Sequence, residues 1–332
     1  MALVGIIANP ASGKDIRRLV AYATTVDNQG KVSIVRRVLL GLGAAGVRDA
    51  LIMPDTHSLG QRALEGLEHS HAPIPLTQML PMSVSGQPGD SERAARLLQQ
   101  AGAGCIIVLG GDGTVRMVSK GAGEAPLLAI STGTNNVLPS FVEGTIAGLA
   151  AGAVAGGQVS LEAVAVRHKW LELWVDGCPA DRALIDVAAL LGRFVGSRAV
   201  WDVSDLKQVV VTRADPASIG VSAIAGMVRP IPPEEPVGVS LELVAGAEHR
   251  VLAAIGPGLI VTVGIAALRV LALGEMVDVV PTRPLILALD GEREVALYEG
   301  QQASLRLCAD GPWIVDAQRV MADMVSRRLF DR

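Results

Sequence analysis

CIIVLGGDGTVR, residues 105–116, decides how the chain is read. Cys105 to Leu109 form a short apolar run without a helical stripe, which reads as a buried strand. Directly after it, Gly110, Gly111 and Gly113 surround one carboxylate, Asp112. Glycine lets the backbone come close to a phosphate and permits positive φ. Thr114 offers a hydroxyl and opens the next helix, whose N-terminal amides favour anions. Asp112 is then placed to orient or deprotonate an attacking hydroxyl, or to hold magnesium. Capping the helix through its side chain is the plainer role. That role explains one Asp and one Gly, but not three glycines at the carboxyl end of a strand. Open α/β sheets bind ligands at that edge.

Two other turns follow strands in the same way. GIIANPASGKD (5–15) looks at first like a phosphate loop. A Walker A loop needs GxxxxGK followed by Ser or Thr. Here the spacing from Gly5 to Gly13 and Lys14 is too long, and Asp15 stands where the hydroxyl belongs. What remains is a strand stopped by Asn9-Pro10, then a small turn of Ala11, Ser12 and Gly13 whose amides could approach a phosphate. STGTNNV (131–137) supplies hydroxyl and amide donors in Ser131, Thr132, Thr134, Asn135 and Asn136 around Gly133. In a parallel sheet these three turns meet on one edge if their strands are neighbours.

The first half alternates strands (3–9, 49–54, 74–82, 105–110, 126–131) with helices (30–47, 58–69, 89–104, 115–123, 142–157), the pattern of parallel βαβ units. Asp90 or Ser91 is expected to cap the helix at 89–104, and Gly102 to stop it. The Ala- and Gly-rich helix at 142–157 has to pack closely against a neighbour. From about 160 the chain becomes short β-type runs divided by turns, a mostly antiparallel second domain. Residues 181–194 read equally as helix or strand. VLAAIGPGLIVTVGIAAL (251–268) is uncharged, but Gly256-Pro257-Gly258 divides it, so two buried strands around a turn are expected rather than a membrane span. PIPPEEP (230–236) is an exposed loop, and the helix at 315–330 is expected to return to the first domain.

The 332 residues suffice for two domains. The chain is 50% hydrophobic but only 3% aromatic, which suits α/β layers. A net charge of −4 without long basic runs argues against nucleic acid. Three widely spaced cysteines fit a reducing compartment, and MALVGIIANP has no leader pattern, so the expected location is the cytoplasm. The histidines show no HExxH pattern, and His69 and His71 read as a solvated turn.

A strand followed by Asn-Pro, then GGDGT, then a Gly-Thr-Asn turn resembles the superfamily of NAD kinases and diacylglycerol or sphingosine kinases. GGDGT is its most specific mark, and the resemblance covers most of the chain. It implies an α/β fold: an N-terminal Rossmann-like parallel-sheet domain, a C-terminal mostly antiparallel β-sandwich, and a final helix returning to the first domain. The expected division is 1–158 plus 300–332 for the nucleotide-binding part and 159–299 for the acceptor part. ANPASGKDIRR and DNQGKVSIVRRVLLGL resemble the opening of the ATP-NAD kinase-like group that includes the acetoin-catabolism protein AcoX.

The resemblance implies ATP, or polyphosphate, as donor, Mg²⁺ as helper, NAD as acceptor, and a homo-oligomer. The superfamily's catalytic carboxylate falls on Asp112. Gly110, Gly111, Gly113 and Thr114 would hold phosphate oxygens. Asn9, Ser12, Gly13 and Lys14 would line the neighbouring turn, and Thr132, Gly133, Thr134 and Asn135 would meet ribose or phosphate. In the lipid kinases an acidic Asp-Gly-Glu segment contributes to catalysis, which makes Asp290 and Glu292 candidates in LILALDGERE (285–294). ASIGVSAIAGMVRP (217–230) resembles the Gly-Ser-Thr-Ala-Tyr stretch of NAD kinases, without its Tyr. Where NAD kinases carry a ribose-binding Asn-Glu pair, this chain has Ile185-Asp186; Asp186 could accept a ribose hydroxyl, whereas Ile185 cannot replace an amide. The expected activity is ATP-dependent phosphorylation of a hydroxyl on NAD or a related nucleotide. A nucleotide-binding regulator without turnover ranks second. A lipid kinase ranks last, because no basic membrane-facing segment is evident.

Overall fold

The computed structural model describes residues 2–13, 22, 24–67, 71–133, 135–192, 203–280 and 284–329, without the side chains of 292–294. Lys14 and Thr134 lie outside the described residues, as does the side chain of Glu292.

The first half forms β1 (Leu3–Ala8), α1 (Asn28–Ala44), β2 (Asp49–Ile52), α2 (Leu59–Glu65), β3 (Leu76–Met79), α3 (Gly89–Gln100), β4 (Cys105–Gly110), α4 (Asp112–Ala122), β5 (Leu127–Ser131) and α5 (Gly144–Ala155). The five strands are parallel, in the order β3-β2-β1-β4-β5. Strand order reverses between β1 and β4, and a crevice opens beyond the carboxyl ends of strands at such a reversal. One face of the sheet is covered by Val35, Val38 and Leu42 of α1 with Ala147 and Ala151 of α5. The other is covered by Ala94 and Leu98 of α3 with Val115 and Val118 of α4.

Helices α1 and α5 cross at glycines. A Cβ on Gly148 would lie 2.3 Å from the Val38 carbonyl, and one on Gly41 would lie 2.3 Å from that of Thr145. The small residues of 142–157 therefore serve the close approach expected of them. Asp27 and Glu143 cap these helices, accepting from Gly30 at 2.7 Å and from Thr145 at 2.7 Å. Asp90 and Ser91 do not cap α3, which starts after Pro88 without a side-chain cap. The Asp90 carboxylate instead reaches back to the amides of Ser85 and Gly86, at 2.9 and 2.7 Å. Gly102 does end α3, at φ 82°.

The chain then makes α6 (Leu161–Val164), β6 (Ala165–Arg167), β7 (Trp170–Val175), β8 (Cys178–Ala183), β9 (Asp186–Leu191), β10 (Leu206–Val211), α7 (Ser222–Gly226), β11 (Val237–Leu243), β12 (Arg250–Gly256), β13 (Leu259–Ala272), β14 (Met276–Asp278), β15 (Leu285–Leu289), β16 (Glu292–Leu297), β17 (Ala303–Cys308), β18 (Trp313–Val315) and α8 (Ala317–Ser326). A seven-stranded sheet, β12-β13-β11-β10-β9-β15-β16, packs on a four-stranded one, β14-β17-β7-β8. Leu171, Leu173, Val187, Leu287 and Leu305 fill the space between them, as in a sandwich. The ambiguous segment at 181–194 holds no helix where it is described: it runs from the end of β8 through a bend at Leu184 and Ile185 into β9.

Two short strands close the molecule. β18 adds to β5 and β6 adds to β18, both in the first sheet. α8 packs its Val320 and Met324 into the core of that sheet, so the chain end does return. Pairing also puts β6, which follows residue 158, with the first sheet, and β17, which follows 299, with the second unit. The 251–268 stretch does turn at Gly256-Pro257-Gly258, but its strands are not buried on both faces. Leu252 and Ile260 are 58% and 63% exposed, because only alternate residues such as Ala253 and Val263 enter the core.

Candidate functional site

The ends of β1, β4 and β5 lie side by side, and their turns are bonded to one another. The Asn9 amide donates to Leu109 O at 3.1 Å, and Thr132 N donates to Gly110 O at 3.3 Å. Asn9 Nδ2 donates to Thr114 Oγ1 at 2.9 Å, and Thr132 Oγ1 to Ser12 Oγ at 3.1 Å. Gly13 turns at φ 82°, and Thr25 bridges Gly133. The structure thus brings Asn9, Ser12, Gly13, Gly110, Thr114, Thr132 and Gly133 to one rim.

Asp112 is the first residue of α4, three residues earlier than the expected helix start. Its carboxylate turns away from its own helix. Val137 N donates to its Oδ2 at 2.9 Å and Leu138 N to its Oδ1 at 2.9 Å. Asn136 Oδ1 accepts from the Asp112 amide at 3.3 Å. Asp112 therefore holds the turn after β5 in place while still lining a cleft. The glycines before it also have an internal duty. A Cβ on Gly110 would sit 2.5 Å from Thr114 Cβ, and one on Gly111 would sit 2.7 Å from Asn136 Oδ1. Gly113 occupies the second position of the helix, where backbone amides have no partner within the helix.

Opposite this rim lie the turns of the second unit. A partly open cleft of about 350 Å³ is lined by Asp112, Asn135 and Val137 on one side and by Asp186, Ser222 and Asp290 among others on the other. Asp186 begins β9 and is buried. Asp290, at φ 49°, folds into the backbone and accepts from the amides of Leu184, Ile185 and Asp186 at 3.0, 2.7 and 3.2 Å. Burial pushes the Asp290 carboxyl above its ordinary range, and Arg116 and those amides pull the other way.

Four residues of this region escaped the sequence reading. Lys31 is buried on the apolar face of α1, four residues before Val35. Its Nζ donates to Asn9 O at 2.9 Å and Ser12 O at 2.8 Å, so it shapes the first turn from behind. Its spacing with Val35 and Val38 is the signal that could have found it. Arg116, also buried, reaches Asp181 at 3.1 Å and Asp290 at 3.6 Å across the two units. Arg213 follows β10, and its Nε donates to no acceptor among the described residues. Burial lowers the Arg213 guanidinium, while Asp215, Asp112 and Glu234 act in the opposite direction. A desolvated cation within electrostatic reach of Asp112 is suited to an anionic ligand. Ser222, at the start of α7, is 1% exposed, and its Oγ has no partner among the described residues.

Among the described residues, no group of three or more His, Cys, Asp or Glu could cage a metal ion. No helix among them is long and apolar enough to cross a membrane.

Residues 4–158 match the model of the ATP-NAD kinase N-terminal domain, and residues 169–310 match that of the acetoin catabolism protein X C-terminal domain. The chain is 39% identical over 314 residues to acetoin catabolism protein X of Cupriavidus necator, covering 92% of this chain and 87% of that protein. Two solved structures of a candidate diacylglycerol kinase from Bacillus anthracis str. Sterne are similar at 13% identity, with TM-scores of 0.45 and 0.46. They cover 94% of this chain and 97% and 96% of those chains. The chain belongs to the acetoin catabolism protein X family.

Proposed function

We propose that this protein is an ATP-dependent phosphotransferase that phosphorylates a hydroxyl, with the parallel-sheet unit holding the donor nucleotide and the antiparallel unit completing the acceptor site. The observation that carries the reading is the convergence of three loop ends at the strand-order reversal, with the Asp112 carboxylate facing the cleft. The match to an ATP-NAD kinase N-terminal domain supports it.

The residues fit a polyphosphate. The start of α4 offers amides to an anion, and Arg213 offers a cation. Magnesium commonly binds through one or two carboxylates plus substrate phosphates, and Asp112 fits that pattern better than a protein cage would. When bound, the metal would neutralise phosphate charge. Asp112 would orient the acceptor hydroxyl and take its proton, with the amides of Val137 and Leu138 fixing the carboxylate's direction. Lys31 would keep the Asn9–Ser12 turn in shape. Lys14, Thr134 and Glu292 remain candidates for the same site. The free cysteines support a cytoplasmic location.

Asp112→Asn keeps the shape of the side chain but loses its basicity. It should abolish ADP formation from Mg-ATP and acceptor while nucleotide binding persists. A variant with near-normal turnover removes Asp112 from this role.

A further inference from the structure

We propose that the acceptor is a phosphate-free hydroxyl compound, such as a diol or polyol, seated against Asn135, Asp186 and Ser222. The proposal rests on the phosphotransferase reading and narrows its substrate.

Charge gives the first reason. Among the described residues the cleft is lined by three carboxylates, Asp112, Asp186 and Asp290, and by no Lys, Arg or His. Arg116 lies behind the wall, committed to Asp181 and Asp290. Arg213, the cation near Asp112, is taken up by the donor's phosphates, so a phosphate on the acceptor would face the Asp112 and Asp186 side chains with no second cation among the described lining residues to offset them.

Unfilled hydrogen bonding gives the second. Ser222 Oγ is buried without a partner among the described residues, and Asn135 Oδ1 likewise. Buried polar atoms in native proteins nearly always have partners, so two orphans lining one cleft point to a ligand. A hydroxyl compound serves both, donating to Asn135 and accepting from Ser222. Ile185, Ile219, Val221 and Ile255 form an apolar wall for its carbon skeleton.

In the transfer, the acceptor oxygen bonds to the γ-phosphorus as the bond from that phosphorus to the ADP oxygen breaks. The hydroxyl proton passes to Asp112, and ADP leaves with the bonding electrons.

The test separates binding from turnover. Glycerol, 1,2-propanediol and NAD are titrated into the full-length Asp112→Asn protein in the presence of Mg-ATP, with binding followed by ligand-observed NMR. The same acceptors are incubated with the unaltered protein and Mg-ATP, and products are scored by mass. The proposal expects the neutral compounds to bind, and Ser222→Ala to weaken them about tenfold, one hydrogen bond's worth. Ser222→Ala deletes a hydroxyl that bonds to nothing among the described residues, so it should fold normally. NAD binding in the cleft in preference to the neutral compounds overturns the proposal. So does failure of both neutral compounds to bind, or indifference of their binding to Ser222→Ala. Neutral compounds that bind through Ser222 but are never phosphorylated would leave the acceptor site standing and sink only the phosphotransferase reading.

Discussion

Arg116 Nε and Asp290 Oδ2 lie 3.6 Å apart, both side chains buried, where the helix that begins at Asp112 meets the turn between β15 and β16. The pair ties the glycine-rich turn to the far wall of the cleft. Removing one member leaves the other charge desolvated, which is more damaging than the net worth of the pair. Arg116→Met should therefore destabilise the protein by about 3 kcal/mol. Combination with Asp290→Asn should recover part of that loss, because the stranded charge is gone. Urea denaturation of the two single variants and the double variant measures the coupling; strict additivity would show that the pair is not coupled.

Arg213 stands near Asp112 with an unpartnered Nε. If it meets the transferring phosphate, Arg213→Met should lower kcat/KM for ATP by about 10²-fold, the loss of one electrostatic partner. Arg213→Lys should restore part of it. Initial rates across ATP concentrations decide the matter, and an unchanged kcat/KM would take Arg213 out of the site.

His168 is buried, and burial, then the charges of Arg213 and Lys169, push its imidazole down to about 3. The folded state keeps it neutral, while the unfolded chain takes up a proton below its ordinary value of 6.5. The contribution to stability is thus complete above that value and is lost as pH falls towards 3, at up to about 1.4 kcal/mol per pH unit. Urea midpoints collected from neutral to mildly acidic pH should fall with acid in the native protein and fall less steeply in His168→Gln. Parallel slopes would mean that His168 is not held neutral.

The α1–α5 crossing should be intolerant of a single methyl. Gly148→Ala would press a carbon to 2.3 Å from the Val38 carbonyl and 2.9 Å from Gly41 Cα. A loss of about 1–3 kcal/mol is expected from overpacking. Gly89→Ala, where an added Cβ meets nothing within 4 Å, is the matched control and should be neutral or slightly stabilising. Thermal melts of both variants compare the two directly.

What the sequence revealed follows from what each signal encodes. β1, β4 and β5 were legible because an apolar run ending in Asn-Pro, Gly-Gly or Ser-Thr-Gly marks both a buried strand and its turn. Their adjacency stayed conditional, because a parallel βαβ pattern does not by itself fix strand order. β6 and β18 have three residues each, too few for any periodicity, and they meet only when the chain end folds back. β8 reads CPADRA and is polar because much of it is exposed, so it carried no apolar alternation to mark it as a strand. β9 was ambiguous because its residues are apolar on both faces, which erases the two-residue alternation. At the site, Asp112 announced itself among glycines. Arg116, Arg213 and Ser222 did not, because their importance comes from partners more than sixty residues away or from partners that the protein itself does not supply.

The central claim is tested most directly by mass spectrometry of a mixed acceptor panel, containing short diols, polyols and NAD, incubated with Mg-ATP and either the native protein or Asp112→Asn. The account predicts one acceptor gaining a single phosphate with the native protein, and a fall of about 10²–10⁴-fold in that rate with Asp112→Asn, the usual scale for loss of a general base. Equal rates for the two proteins, or nucleotide binding by the native protein with no phosphate moved to any acceptor, would contradict it.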